Sequence, residues 1–392
     1  MTLPSERLSL AQHLRRDARG GVLPLFAGRR SALTYSTRVA IRAACDVLGL
    51  TPGDEVLVPA YNCGSEVDPL LQAGLIPVLY PVGADTAVDP AHLAALITPC
   101  TKALYLTHYF GFPQPRTADL RALCDAHGLA LMEDCALNLL SQGRAEVGLL
   151  GDVAFFCLYK YFPVNAGGVL VVNRADLLLP TFAARPRLRP AATLVMQALA
   201  ASLLGDRGVA ALTALRHKLR PPRLMPPRDP ARLPDMPGHY YFDPALIGTR
   251  ISTLATRPLA GVDVQATIAL RRRNYRAYLD LLSGLDGVRP LFPDLPEGVC
   301  PLNMPVLVDH RDQITADLYH AGIAVASWWG GYHKALDYTP FTEARHLKDH
   351  VLALPLYPGL EPQHLQSIVA LLAALLAKQA PDQSLARFQA PE

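Results

Sequence analysis

From residue 54 onward the chain alternates short β-branched, apolar runs with segments of helical period, and that rhythm restricts the fold more than any other feature. The runs EVLVPA (55–60), PVLYPV (77–82) and KALYLTHYF (102–110) read as strands, and TADLRALCDAHG (117–128) reads as an amphipathic helix between them. LALMED (129–134), DVAFFCLY (152–159) and GVLVVN (168–173) follow at shorter intervals, which predicts that the last strands are joined partly by hairpins. The expected result is an α/β layer structure with a mostly parallel sheet covered by helices on both faces. Such a sheet binds its ligands beyond the carboxyl ends of its strands, so the residues just after each run become the candidates.

The length of 392 residues and a 51% hydrophobic composition allow a large core and two domains. The spacing predicts a large α/β domain over 1–177 and a smaller C-terminal α+β domain over 238–380. The latter carries a long helix through 262–285, a strand at 303–309, a helix near 311–321 and a closing helix at 365–379. Between the domains, 178–237 is Pro-rich and basic. From 185 to 232, nine arginines and one lysine face only Asp206 and Asp229. This stretch is expected to be a helical insertion or connection with a solvated basic face, and a weak contact with an acidic membrane surface is the minor alternative. Residues 381–392 read as a frayed tail.

The net charge of +3, without a long charged tail, gives no reason to expect nucleic acid as a partner. Seven scattered cysteines lack the spacing of a zinc site or a redox pair and read as free thiols. No signal-peptide core occurs near the start, so the expected address is the cytoplasm.

Three strand ends carry reactive groups: His108 and Tyr109, Glu133 and Asp134, Tyr159 and Lys160. Lys160 sits in FFCLYKYFPVNAGG (155–168), where an apolar run meets an amine that is costly to bury unpaired. It either snorkels to solvent, forms an ion pair with an acid of the neighbouring strand end, or carries a cofactor. Pyridoxal phosphate requires a lysine for a Schiff base, a carboxylate at the pyridine nitrogen, a helix N-terminus for the phosphate and a flat side chain against the ring. Lys160 and Asp134 meet the first two needs. In LTYSTRVAIRAACDVLGL (33–50), Ser36 or Thr37 caps a helix whose first amides, at Thr37, Arg38 and Val39, face an anion or simply end a helix.

The ordered motifs TPGDEVLVPAYNC, LTHYFGFP, LMEDCA, GDVAFFCLYK and NAGGVLVVN resemble the DegT/StrS-type sugar aminotransferases, a branch of the fold type I pyridoxal phosphate enzymes. The resemblance is strong over 30–175 and weaker through RISTLATRPLAGVDVQATIALRRRNYRAYLDLL and LALPLYPGL (352–360). It implies pyridoxal 5'-phosphate as cofactor, Lys160 as the Schiff-base lysine, Asp134 at the ring nitrogen, Thr37 and Arg38 at the phosphate and His108 near the ring. It also implies a homodimer with the site near the subunit interface. Cys157 takes the place of a family serine at the phosphate, Leu137 that of a Gln or His, with Asn138 as a substitute, and Gly248 that of an asparagine reaching the partner's phosphate. The stacking residue is Tyr61, Cys63 or His108, with Tyr61 or His108 favoured because stacking needs a flat π-face.

The implied reaction is amino transfer, with glutamate as the expected donor, to a keto sugar carried on a nucleotide, for surface polysaccharide or a secondary metabolite. A non-sugar ketone or aldehyde acceptor and a cofactor-bound regulatory protein are the alternatives. No G-x-G-x-x-G follows the first strand, which excludes a nicotinamide dehydrogenase. The twelve histidines form no H-E-x-x-H arrangement, so no metal is expected.

Overall fold

In a computed structural model, residues 21–141, 147–186, 195, 196, 199, 203 and 233–378 are described. Most of the basic stretch expected over 178–237 and the tail expected over 381–392 lie outside the described residues.

Seven strands form the large sheet: β1 (Ser31–Thr34), β2 (Glu55–Pro59), β3 (Ile76–Tyr80), β4 (Thr101–Thr107), β5 (Ala130–Cys135), β6 (Val153–Cys157) and β7 (Gly168–Val172). Their order is β1-β7-β6-β5-β4-β2-β3. Every pair from β3 to β6 is parallel, whereas β7 runs antiparallel to both β6 and β1. The expected mostly parallel sheet is therefore present, and the short interval between residues 159 and 168 is the hairpin-like return. The strands β6 and β7 are buried along their whole length, which is why they read as continuous apolar runs rather than alternating ones.

Helix α1 (Thr37–Val47) forms because Val39, Ala40, Ile41, Ala44 and Cys45 share one buried face, while Arg42 and Asp46 pair at 2.6 Å on the outer face. Burying each of its larger apolar side chains contributes about 1.5–3 kcal/mol. The Ser36 hydroxyl caps it by accepting from the Val39 amide at 3.4 Å. Short helices α2 (Val67–Gln72) and α3 (Pro90–Ala94) follow, and α4 (Thr117–His127) ends where Gly128 takes a left-handed conformation.

A second, antiparallel sheet has the order β10-β11-β9-β8, with β8 (Val288–Pro290), β9 (Met304–Val308), β10 (Ala326–Ser327) and β11 (Val351–Leu354). Helices α5 (Val264–Leu282), α6 (Arg311–His320), α7 (Thr342–His350) and α8 (Pro362–Leu376) accompany it. The long and closing helices follow the sequence pattern, and α5 starts where the Asp263 carboxylate accepts from the Ala266 amide at 2.9 Å. Three buried side chains join the two sheets' layers. Arg271 donates to the carbonyls of Leu302 and Tyr161 at 2.8 and 3.2 Å. Lys348 donates to those of Asn62 and Gly331 at 2.5 and 2.8 Å, and the Tyr338 hydroxyl donates to Asn62 Oδ1 at 2.9 Å.

The strand expected over 102–110 stops at Thr107. Phe110 and Gly111 adopt φ of 55° and 97°, and a Cβ on Gly111 would lie 2.3 Å from the Cys300 carbonyl oxygen. The chain therefore turns sharply just after the strand, at a place only glycine can occupy.

Candidate active site

Alternation along β5 sends Glu133 and Asp134 to opposite faces of the sheet. On the Asp134 face, Oδ2 accepts from the Tyr105 hydroxyl at 2.8 Å and Oδ1 from the Ala136 amide at 2.8 Å. Both donors are fixed in the fold, so the carboxylate is held in one orientation with lone pairs to spare. Burial, with Asp134 adding to it, pushes the Tyr105 phenol well above its ordinary pKa, so it stays a donor. The ring of Phe155 stacks on Tyr105 at 5.9 Å from the same face.

On the other face, the Glu133 carboxylate accepts from the Gly148 amide at 3.0 Å and from the Gly151 amide. His108 belongs to this second group. Its Nδ1 accepts from the Gln114 amide at 3.0 Å, which leaves the proton on Nε2 to be donated to Glu133 at 3.0 Å. The expectation that His108 lies by the cofactor ring is thus corrected, because the imidazole is spent on the side of the sheet away from Asp134. His108, Glu133 and Cys135 place ligand atoms within 4.8 Å of one another, yet both nitrogens of the histidine and both oxygens of the glutamate already hold protein partners.

Helix α1 begins on the Asp134 face. Thr37 Oγ1 donates to the Phe156 carbonyl at 3.3 Å, next to the buried Cys157. Burial raises the pKa of Cys157, so it sits at the helix start as a neutral thiol. A Cβ on Gly168 would lie 2.5 Å from the backbone of both Ser36 and Thr37. The second glycine of the NAGG turn is therefore what lets the helix start settle onto β7. The Arg38 side chain is placed elsewhere: its guanidinium donates to the carbonyls of His239, Tyr240 and Tyr241 at 3.0, 2.7 and 2.8 Å. The expectation that Arg38 lies at the phosphate is corrected for its side chain, which clamps the 239–241 segment and leaves only the backbone amide at the helix start.

Beyond β2, the Tyr61 carbonyl accepts from the Tyr109 hydroxyl at 2.6 Å, just past the end of β4. Tyr61 is fully buried, with its ring 5.3 Å from Tyr109 and 4.9 Å from Trp329 and its hydroxyl on the Trp328 carbonyl at 2.5 Å. A ring enclosed this way offers no face for stacking, so that expectation is corrected as well. Cys63 faces the site instead. The Lys160 ammonium and Glu66 are among the charges acting on its thiol, whose pKa burial pushes up to about 11. Lys160 Nζ lies 5.5 Å from the centre of the Trp328 ring.

Glu66 is the residue that the sequence reading missed. It is 7% exposed, and its Oε1 accepts from the Cys63 amide at 2.8 Å. Its pKa is raised first by burial and then by Asp134, and lowered in part by Lys160, so one carboxyl feels both strand-end groups. The available signal was its position, an acid a few residues after a parallel strand on the rim where Asp134 and Lys160 lie.

The residues present fit pyridoxal phosphate. The Thr37 and Arg38 amides at the start of an eleven-residue helix make no hydrogen bond among the described residues, and Asp134 is oriented with acceptor capacity left. Thr107 Oγ1, paired in register with Asp134 on the same face, and the side-chain amide of Asn138 are buried with no partner among the described residues. Orphaned buried polar atoms beside an oriented carboxylate are what a site for a polar ring leaves in the free protein.

The profile of the DegT/DnrJ/EryC1/StrS aminotransferase family matches residues 22–179, the span that contains Thr37, Asp134, Cys157 and Lys160. Residues 22–179 of this chain belong to that family. Among curated relatives, GDP-perosamine synthase of Vibrio cholerae is 34% identical over 145 residues, 36% of this chain and 39% of that protein. L-glutamine:2-deoxy-scyllo-inosose aminotransferase of Streptoalloteichus tenebrarius is 34% identical over 146 residues, 36% of this chain and 34% of its own length. The chain thus matches well under half the length of these two proteins. UDP-N-acetyl-3-dehydro-alpha-D-glucosamine 3-aminotransferase of Acidithiobacillus ferrooxidans is 26% identical over 352 residues, 86% of this chain and 82% of that one. The crystal structure of DesI in the presence of its TDP-sugar product superposes with a TM-score of 0.67 at 22% identity, covering 96% of this chain and 93% of DesI. The chain therefore has the fold type I architecture over nearly its whole length.

Proposed function

We propose that the protein is a pyridoxal phosphate-dependent aminotransferase that moves an amino group, with glutamate as the expected donor, to a keto sugar carried on a nucleotide. What supports this reading is that Asp134, Cys157 and the N-terminus of α1 lie on one face at the carboxyl edge of the sheet, with Lys160 three residues past the end of β6. When bound, the cofactor supplies an aldehyde for an amine and a protonated ring that accepts electron density. Asp134, oriented by Tyr105 and Ala136, keeps the ring nitrogen protonated. The amides of Thr37 and Arg38, with Thr37 and Cys157 beside them, hold the phosphate. The Lys160 nitrogen takes the proton from the carbon that bears the incoming amine and returns it on the other side of the exchange. Asp134 at one end and the start of α1 at the other would hold the cofactor in one orientation.

The sugar acceptor is supported by the relatives named for perosamine and for a dehydro-glucosamine nucleotide. A second reading, a cyclitol ketone with glutamine as donor, is supported by the inosose aminotransferase at equal identity. On either reading the working form is a cytoplasmic homodimer in the synthesis of surface polysaccharide or a secondary metabolite.

The test is spectroscopic. Reconstituted protein should show a visible band that glutamate or glutamine bleaches and that one class of ketone restores. Recovery with nucleotide-linked keto sugars and not with inososes supports the first reading. The reverse supports the second, and protein that stays colourless after reconstitution removes both.

A further inference from the structure

Lys160 lies between β6 and β7, in neither a strand nor a helix, so no ladder of backbone bonds sets its position. The residue that follows it is anchored instead. Tyr161 is fully buried, its amide donates to the Leu158 carbonyl at 3.2 Å, and its own carbonyl accepts from Arg271 Nη2 of α5 at 3.2 Å. The Arg271 guanidinium carbon also lies 5.1 Å from the centre of the Tyr161 ring. At the far end of the ring, the hydroxyl donates to the Leu137 carbonyl at 2.8 Å, with the Cys300 carbonyl as a second acceptor at 3.3 Å. Burial pushes this phenol well above its ordinary pKa, so it stays a donor.

Leu137 belongs to the turn that orients Asp134. In that turn the Ala136 amide donates to Asp134 Oδ1 at 2.8 Å, and the Asn138 amide donates to the Cys135 carbonyl at 2.9 Å. One phenol therefore ties the residue beside Lys160 to the turn beside Asp134. Arg271 fixes the backbone end of the same side chain. Its other arm donates to the Leu302 carbonyl at 2.8 Å, and the Leu302 amide donates to the Phe110 carbonyl, just past β4, at 2.8 Å.

We infer that Tyr161 is the positioning residue of Lys160: it sets the distance from the lysine nitrogen to a cofactor held by Asp134, and Arg271 clamps it in place. Tyr161 touches neither reactant and acts through the lysine. The tie between the two turns is a property of the free protein, and its effect on the cofactor rests on the aminotransferase reading. Reaction at an amine depends steeply on how closely the amine is held to its target, so a loosened Lys160 slows bond formation more than it weakens cofactor binding.

Tyr161→Phe tests this on the full chain, since it keeps the ring under Arg271 and deletes only the hydroxyl. Mixed with pyridoxal phosphate, the variant should develop the visible band about tenfold more slowly than wild type. Arg271→Lys, which keeps the charge but loses the two-armed fork, should slow the same step. In a Lys160→Ala background, where the cofactor binds without a covalent link, adding Tyr161→Phe should leave the affinity read by fluorescence titration unchanged. A tenfold loss of that affinity would overturn the positioning role, because the hydroxyl would then serve the whole site and not the lysine. Equal rates of band formation in wild type and Tyr161→Phe would overturn it too, with the aminotransferase reading left standing. In cofactor-free protein, amide hydrogen exchange over 136–139 and over 158–162 should rise together in Tyr161→Phe, and a rise in one segment alone would overturn the tie. A joint rise in a protein whose wild type never colours would keep the tie and remove the aminotransferase reading.

Discussion

Asp134 and Lys160 show how little of a residue's role lies in its identity. Glu133 is the same chemistry one position away, yet its carboxylate is consumed by two glycine amides and His108 on the opposite face. Asp134→Asn should keep bound cofactor and slow amino transfer by about 10²-fold, because an unprotonated ring is a weak electron sink; rapid-mixing kinetics of the donor half-reaction checks this. Lys160→Ala should abolish both the visible band and turnover while the circular dichroism spectrum is retained, and normal turnover would take the lysine out of the reaction. Both residues were legible in the sequence because each ends an apolar run. His108 was misplaced because the resemblance, and not the strand pattern, put it near the ring: Thr107 pairs in register with Asp134, so alternation already sends the next side chain to the opposite face, where Glu133 lies.

At the scale of elements, the site depends on how closely α1 approaches β7. Gly168 is paired with Cys157 across the β6–β7 ladder and lies under the first turn of the helix. Gly168→Ala must push backbone rather than a flexible side chain, so it should cost about 1–3 kcal/mol in urea unfolding. It should also weaken phosphate or pyridoxal phosphate binding, measured by fluorescence titration, since the free amides move with the turn. Unchanged stability together with unchanged affinity would mean that the helix start is not held there. The NAGG turn could be read from the sequence as a glycine pair, but its partner could not, because the contact joins residues more than a hundred positions apart. The same holds for Arg38, whose place at a helix start looked like an anion site until the 239–241 carbonyls came to it through the fold.

Across the whole molecule, the C-terminal part closes onto the cofactor loop through Lys348. This lysine is fully buried, 4.7 and 5.2 Å from the rings of Tyr332 and Tyr338, and burial lowers its pKa to about 8. The unfolded chain then binds more protons than the native one between about pH 8 and the ordinary lysine value, so in that window this group makes stability rise with pH. Its charge costs on the order of 3 kcal/mol at neutral pH, and the cost fades as the lysine is neutralised. Between pH 7 and 9.5, wild-type stability should therefore gain on that of Lys348→Met; a constant difference would disprove the lowered pKa. Buried cysteines and tyrosines act in the opposite sense at higher pH in both proteins and cancel in the comparison.

The alternation of apolar runs and helices was sufficient by itself to specify a mostly parallel sheet, its reactive edge, and the lysine and acid on that edge, because hydrophobic period and strand ends are local properties. Tertiary structure alone decided the rest: it enclosed Tyr61, spent Arg38 on the carbonyls of residues 239–241 and buried Glu66 beyond β2. Those outcomes depend on which side chains meet across long sequence separations, and no local pattern encodes a meeting.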